Sequence, residues 1–321
     1  MKCLGRRRQR PLITILGVAM VLFAASEIFI RSGGIQLRRK RCSDDAEDNL
    51  PDIIQALEEH SNLQFRIRDS QAHDKAAECK PERNVAFLKV HKCGSTTVQN
   101  ILLRYGEKHN LTFVLPQRSN LISYPAKFDK RDILKFPVEK YNILTHHTRF
   151  DYEAISEVMP ENTTFIAIIR EPTVVFESLF TYLRIPQAMK IQGPDALDKF
   201  LSNPERHISR VSTDSYVFTM KNPLLLDFGM STWDMHDMRK VARKIKDIDS
   251  IFSLVMLSEY FDESLILLKH LLCWDLDDFT YVTLNRRGEA SVRNVTEQTA
   301  RRMRQWNQGD QLLYDYFNQT F

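Results

Sequence analysis

Three short runs in this sequence carry residue types suited to handling an anionic ligand. The first is Lys89-Val90-His91-Lys92-Cys93-Gly94-Ser95-Thr96-Thr97, where cations, a glycine and small hydroxyls lead into a segment of helical spacing. Unpaired N–H groups at a helix N-terminus, backed by the helix dipole, bind phosphate; Gly94 lets the backbone approach closely, while Ser95, Thr96 and Lys92 add donors and charge. This is not the Walker order, because no glycine lies upstream and the lysine precedes Gly94 instead of following a glycine. The second run is Arg170-Glu171-Pro172, with Ser178 eight positions past the arginine. A guanidinium grips phosphate bidentately, and a serine two turns into the next helix reaches the same group. Taken singly, these runs also read as an ordinary capped helix and a surface ion pair. The third run, Asn142 to Phe150, holds His146 and His147, imidazoles suited to proton transfer near neutral pH. Paired histidines also serve as structural groups or metal ligands, but no cysteine or His-Glu-x-x-His pattern accompanies these two, so no metal is expected.

Each run follows a stretch that reads as a buried strand. Val85 to Val90, Tyr141 to Thr145, Thr164 to Ile169 and Ser253 to Leu257 are apolar and rich in β-formers. Helical spacing follows at Ser95 to Tyr105, from Pro172 through Phe180, and at Asp262 to Leu272, with Pro172 suited to a first helical turn. Alternating strands and helices predict an α/β fold with a central parallel sheet flanked by helices, whose ligands bind beyond the carboxyl ends of the strands. The chemically equipped runs sit at those ends.

The 321 residues carry a net charge of +4 with acids and bases interspersed, which argues against a nucleic-acid surface. Residues 11–30 form an apolar run long enough to span a bilayer, preceded by Lys2, Arg6, Arg7, Arg8 and Arg10. This predicts a cytosolic tail at 1–10, a signal-anchor at 11–30 and type II topology; a cleaved signal peptide is the competing reading, given Ala24-Ala25-Ser26. Residues 31–80 are expected to be a luminal stem, with one short amphipathic helix around Ile53 to Leu57, and residues 81–321 the main domain. Sequons at Asn110, Asn162, Asn294 and Asn318 all lie beyond the span, which fits a luminal domain carrying N-glycans. Of the cysteines there, Cys79 with Cys273 is one pairing; either remaining free, or pairing outside this chain, is the other. Trp233, Trp274 and Trp306 suit sugar stacking, although core packing is the ordinary role of such residues.

The runs VAFLKVHKCGSTTVQNILLRYGEKHNL (85–111) and IIREPTVVFES (168–178), with SEYFDESL (258–265), LLCW (271–274) and LNRR (284–287), resemble the galactose 3-O-sulfotransferase family over about residues 79–321. The resemblance implies a P-loop-like sulfotransferase fold, the donor PAPS (3′-phosphoadenosine-5′-phosphosulfate) released as PAP, a galactose-terminated glycolipid or glycan acceptor, residence in the Golgi membrane and no metal. By motif match, Lys89, His91, Lys92, Cys93, Gly94, Ser95, Thr96 and Thr97 line the 5′-phosphosulfate site. Arg170 and Ser178 match the pair that holds the 3′-phosphate, and Arg286 and Arg287 fall in a loop that closes over the nucleotide. Cys93 stands where such loops more often carry Thr or Ser, so its backbone N–H is expected to serve and its thiol to be incidental. Family members continue past the position of Phe321, so the domain is expected to be short at that side.

Sulfuryl transfer needs a base for the acceptor hydroxyl and positive charge on the leaving phosphate. His147 matches the family's recurrent histidine and is the expected base, with His146 beside it; Lys92 is expected on the bridging oxygen, and Arg149 to orient the acceptor. A P-loop kinase and a non-catalytic glycan-binding relative are the competing functions. The first would hydrolyse ATP with Mg²⁺, and the second would bind PAPS without transferring its sulfuryl group.

Overall fold

The computed structural model describes residues 50–61, 79–209, 219–282 and 295–321. Five strands, β1 (Val85–Leu88), β2 (Phe113–Val114), β3 (Ile143–Leu144), β4 (Thr164–Ile169) and β5 (Leu254–Leu257), form one sheet in the order β2-β3-β1-β4-β5. All neighbours are parallel, with Val85 opposite both Ile143 and Thr164, and Ile166 opposite Leu254. β1 is buried along its whole length, and β4 at every residue after Thr164. A central parallel strand is covered on both faces and therefore has a continuously apolar sequence, which is why both were readable.

α1 (Ser95–Lys108) follows β1 and buries Val98, Ile101, Leu102 and Tyr105 on one stripe. α2 (Pro172–Tyr182) follows β4; Pro172 starts it, and the Glu171 carboxylate caps it by accepting the Val174 N–H at 3.0 Å. Four further helices matter to the site: α3 (Pro223–Asp227), α4 (Met238–Ile251), α5 (Phe261–Leu272) and α6 (Gln308–Thr320). The chain leaves β1 toward β2 and β3 on one side and leaves β4 toward β5 on the other. The carboxyl ends of β1 and β4 therefore flank the switch point where parallel α/β sheets leave a crevice.

The strands expected at 85–90, 141–145 and 253–257 are shorter than their apolar runs, and Phe113–Val114 is an additional edge strand. Pairing, not apolarity, sets these limits: β3 has two residues in register with Val85 and Ala86, and β2 has two in register with β3. The helix expected around Ile53 to Leu57 extends over residues 50–61 and belongs to the core, burying Ile53 and Leu57 and setting His60 3.3 Å from Asp249 of α4. Among the described residues no helix is long and apolar enough to cross a membrane, and the span expected at 11–30 lies outside them. Cys79 and Cys273 form a disulfide.

Candidate active site

The loop after β1 turns through two left-handed residues, Lys92 (φ 63°) and Gly94 (φ 72°), before α1 begins. A Cβ on Gly94 would meet nothing nearer than 3.9 Å, so the backbone conformation, not crowding, explains the glycine. No side chain caps α1. The helix thus presents its first-turn N–H groups to an incoming anion, the arrangement read from the sequence. Several side chains of the run are committed to the loop itself. The buried Ser95 donates its hydroxyl to the Val90 carbonyl at 2.8 Å, Thr97 is buried, and Thr96 is half-buried. Cys93 is a buried free thiol donating to the His91 carbonyl at 3.2 Å, and burial pushes its pKa well up. Lys92 sets its ammonium 4.3 Å from the centre of the Tyr182 ring, at the end of α2.

Lys89 points into the protein, donating to Gln99 Oε1 at 2.7 Å, and Gln99 donates to the Thr145 carbonyl at 2.8 Å. Burial lowers the Lys89 pKa to about 8. On the other side of the switch point, Arg170 emerges from β4 with its side chain 40% exposed and, among the described residues, a long contact of 3.9 Å to Glu259. Ser178 is buried on α2. Ser258, just past β5, donates toward the carbonyls of Cys93 (2.6 Å) and Ile169 (3.0 Å), so one hydroxyl draws together the chain beyond β1, β4 and β5. Arg286, Arg287 and Asn294 lie outside the described residues; Asn110, Asn162 and Asn318 are exposed.

The histidines form the other half of the cleft. His147 donates its Nδ1–H to the Lys89 carbonyl at 2.8 Å, which leaves Nε2 with its lone pair. Burial first, then the neighbouring His91 and Lys89, hold its pKa down at about 2. The His91 ring stacks on it with centroids 4.0 Å apart. Asp227 Oδ2 accepts both the backbone N–H and the Nδ1–H of His91, each at 2.8 Å. His146 is also lowered by burial and keeps a buried Nδ1 without a hydrogen-bond partner among the described residues.

Asp227 was not foreseen in the sequence, because it lies 136 positions from His91 and in no motif. Its position is set from the far end of the chain. The buried Asp310 on α6 accepts the Leu224 and Leu225 N–H groups, both at 2.9 Å, at the start of α3, which ends on Asp227. Burial pushes the Asp310 carboxyl up to about 8 despite those two donors. Asn307 accepts the Asn222 N–H at 2.8 Å, and Asn222 accepts the Asp310 N–H at 3.1 Å, closing the knot.

Arg149, expected to orient an acceptor, is a structural clamp. Its guanidinium donates to the carbonyls of Leu226 (3.1 Å), Pro125 (3.0 Å) and Met230 (3.0 Å). An arginine with three carbonyl partners holds segments together and has little left for a mobile ligand. The tryptophans divide: Trp274 is in the core and Trp306 is half-buried, donating to the Met220 carbonyl at 2.8 Å, but Trp233 is 87% exposed.

The sequence profile of the family described as galactose-3-O-sulfotransferase matches residues 53–321. Human galactosylceramide sulfotransferase is 37% identical over 254 residues, covering 78% of this chain and 60% of that protein. Mouse galactose-3-O-sulfotransferase 3 is 40% identical over 251 residues (74% and 56%), and human galactose-3-O-sulfotransferase 2 is 35% identical over 269 (81% and 65%). The matches thus span 56% to 65% of these relatives' own length.

Proposed function

This chain belongs to the galactose-3-O-sulfotransferase family, and from that premise we propose that it transfers the sulfuryl group of PAPS to the 3-hydroxyl of a galactose on a glycolipid or glycoprotein glycan, releasing PAP. One observation carries the reading: an uncapped helix N-terminus after β1 and a loosely paired arginine after β4 face the same switch point as two stacked imidazoles. PAPS supplies a sulfur activated by a phosphate leaving group. The α1 N-terminus fits its 5′ end, because no side chain competes for those donors. Arg170 and Ser178 take the 3′-phosphate, and Lys92 moves from Tyr182 to offset the charge that builds on the departing oxygen. The acceptor oxygen bonds to sulfur as the sulfur–oxygen bond to the phosphate breaks, and its proton passes to Nε2 of His147. The whole is a P-loop-like sulfotransferase fold. On sequence grounds it faces the Golgi lumen behind a type II anchor.

His147 is favoured as base because its Nδ1–H is anchored on the Lys89 carbonyl, which leaves the Nε2 lone pair to accept a proton. His91 is the second reading, since the Asp227 carboxylate holds its Nδ1–H at 2.8 Å and leaves its Nε2 to accept a proton. Asp227→Asn separates them: it is expected to lower kcat by less than about tenfold, far short of the loss on removing a general base, which is on the order of 10²–10⁴. A collapse of kcat with a shifted pH profile in this variant would move the role to His91.

The function is tested by incubating the full chain with labelled PAPS and galactosylceramide, lactose-type or core-glycan galactosides, and locating the sulfate on the product. Absence of transfer to every galactoside would refute it. Arg170→Ala is expected to weaken PAP binding roughly tenfold to hundredfold, the worth of a charge-assisted phosphate contact, without loss of folding. Calorimetry showing parent-like affinity would remove Arg170 from the nucleotide site.

A further inference from the structure

A cavity of about 820 Å³ opens against Leu226, Gly229 and Met230, and none of the phosphate-loop residues line it. Six cations do: Lys127, Arg149, Lys240, Arg243, Lys244 and Lys246, against Asp234 and Asp247. Three of the six are already engaged. Arg149 is spent on carbonyls, Lys240 pairs with Asp234, and Lys127 lies 3.4 Å from Asp151. Arg243, Lys244 and Lys246 have no salt bridge to a carboxylate among the described residues. Lys244 is half-buried with its ammonium 5.7 Å from the centre of the Phe150 ring, and burial, then Lys127, lower its pKa against the smaller opposing pull of Asp247 and Asp151. Like charges gathered in a half-buried recess oppose folding, and a bound anion relieves that cost.

The rim adds a different chemistry. Ser231, Thr232 and Asp234 line the cavity, and between them stands Trp233, 87% exposed. An exposed indole next in sequence to the lining residues Thr232 and Asp234, with a recess in which cations outnumber carboxylates, suits a ligand with an apolar ring face and an anionic substituent. A pyranose carrying a sulfate or carboxylate has both, and inorganic phosphate has only the second. Gly229 shapes the wall: at φ 83° a Cβ there would lie 2.0 Å from the Phe150 carbonyl oxygen, so the segment joining the Asp227 turn to this recess cannot carry a side chain at that point.

We propose that this recess binds an acidic sugar of the acceptor glycan, its ring stacked on Trp233 and its sulfate or carboxylate held by Arg243, Lys244 and Lys246. The inference rests on the galactoside-sulfotransferase reading in taking that sugar as a neighbour of the reacting galactose. The test is equilibrium binding by the full chain, without donor, of N-acetyllactosamine and of the same disaccharide carrying a sulfate ester on its N-acetylglucosamine. The sulfated ligand is expected to bind about tenfold more tightly, as one charge-assisted contact provides. Arg243→Ala with Lys246→Ala is expected to erase that preference, Trp233→Ala to weaken both ligands about fivefold, and all variants to keep parent-like PAP affinity, showing an intact fold. Equal affinities for the two disaccharides, a preference surviving in the double variant, or binding of the recess to phosphatidylserine vesicles in place of glycan would overturn the proposal. Failure of sulfuryl transfer with the binding preference intact would strike the functional reading alone; transfer with no preference would strike this one alone.

Discussion

Replacing His147 by alanine is expected to lower the rate of sulfuryl transfer by roughly 10²- to 10⁴-fold, the usual contribution of a positioned general base, with PAP affinity unchanged. The expectation follows from an imidazole whose Nδ1–H is anchored on the Lys89 carbonyl at 2.8 Å and whose Nε2 is left to accept a proton. Its low pKa, about 2, describes the cleft without substrates. Negative charge from phosphates and sulfuryl group raises the basicity of a nearby imidazole, so the base strengthens as the site fills. A second readout distinguishes chemistry from packing. With the folded pKa below the ordinary value of 6.5, protons bind the unfolded chain preferentially once the pH drops under about 6.5, and stability declines from there toward pH 2. His147→Ala removes this decline, so the variant should be nearly inactive yet less sensitive to mild acid. Parent-like turnover at saturating PAPS would end the assignment.

Loss of the Cys79–Cys273 disulfide is expected to lower the unfolding free energy by about 3–5 kcal/mol, the upper end of the range for a single bridge, because it closes a long loop. The two cysteines are 194 positions apart, with Cα atoms 5.8 Å from each other. The bridge fastens the segment before β1 to the end of α5. That junction is reinforced by the Glu82 N–H on the Leu272 carbonyl at 2.9 Å and by the Trp274 indole N–H on the Glu82 carbonyl at 2.8 Å. Cys273 itself closes α5 in the left-handed region, φ 54°. Urea titration of Cys79→Ser with Cys273→Ser should show a lower midpoint with a slope equal to or steeper than the parent's, because the unbridged chain unfolds to a less compact state, and the parent should shift likewise on reduction. Coincident curves would show that backbone contacts alone hold the junction.

How much could be read in advance depended on how local each signal was. β1 and β4 were legible as apolar runs because central parallel strands are covered on both faces, β5 because this edge strand is still buried from Val255 to Leu257, and α1 and α2 from Gly94, Pro172 and their buried stripes. β3 was legible within the run Tyr141 to Thr145, though pairing cuts it to two residues, whereas β2, also two residues, exists through pairing with β3 and was not foreseen. Within the site, the phosphate loop and the histidines lie in short contiguous motifs. Asp227, Ser258 and Asp310 act on them across distances of 85 to 165 positions, and nothing in their surroundings announces it. Arg149 shows the opposite error: a charged residue beside a histidine motif was read as a ligand contact, whereas its three carbonyl partners are tertiary. Trp233 was read as core because tryptophan usually is, whereas it stands 87% exposed.

The knot of Asn222, Asn307 and Asp310 gives the molecule an order in time. A chain synthesised only as far as β5 already contains every strand of the sheet, the phosphate loop and both stacked imidazoles. It lacks the carboxylate that seats the start of α3, and with it the register of Asp227 against His91. A nascent chain halted there has His147 anchored on the Lys89 carbonyl but has yet to seat the carboxylate beneath His91, so the His91 side of the site is completed only with the making of α6.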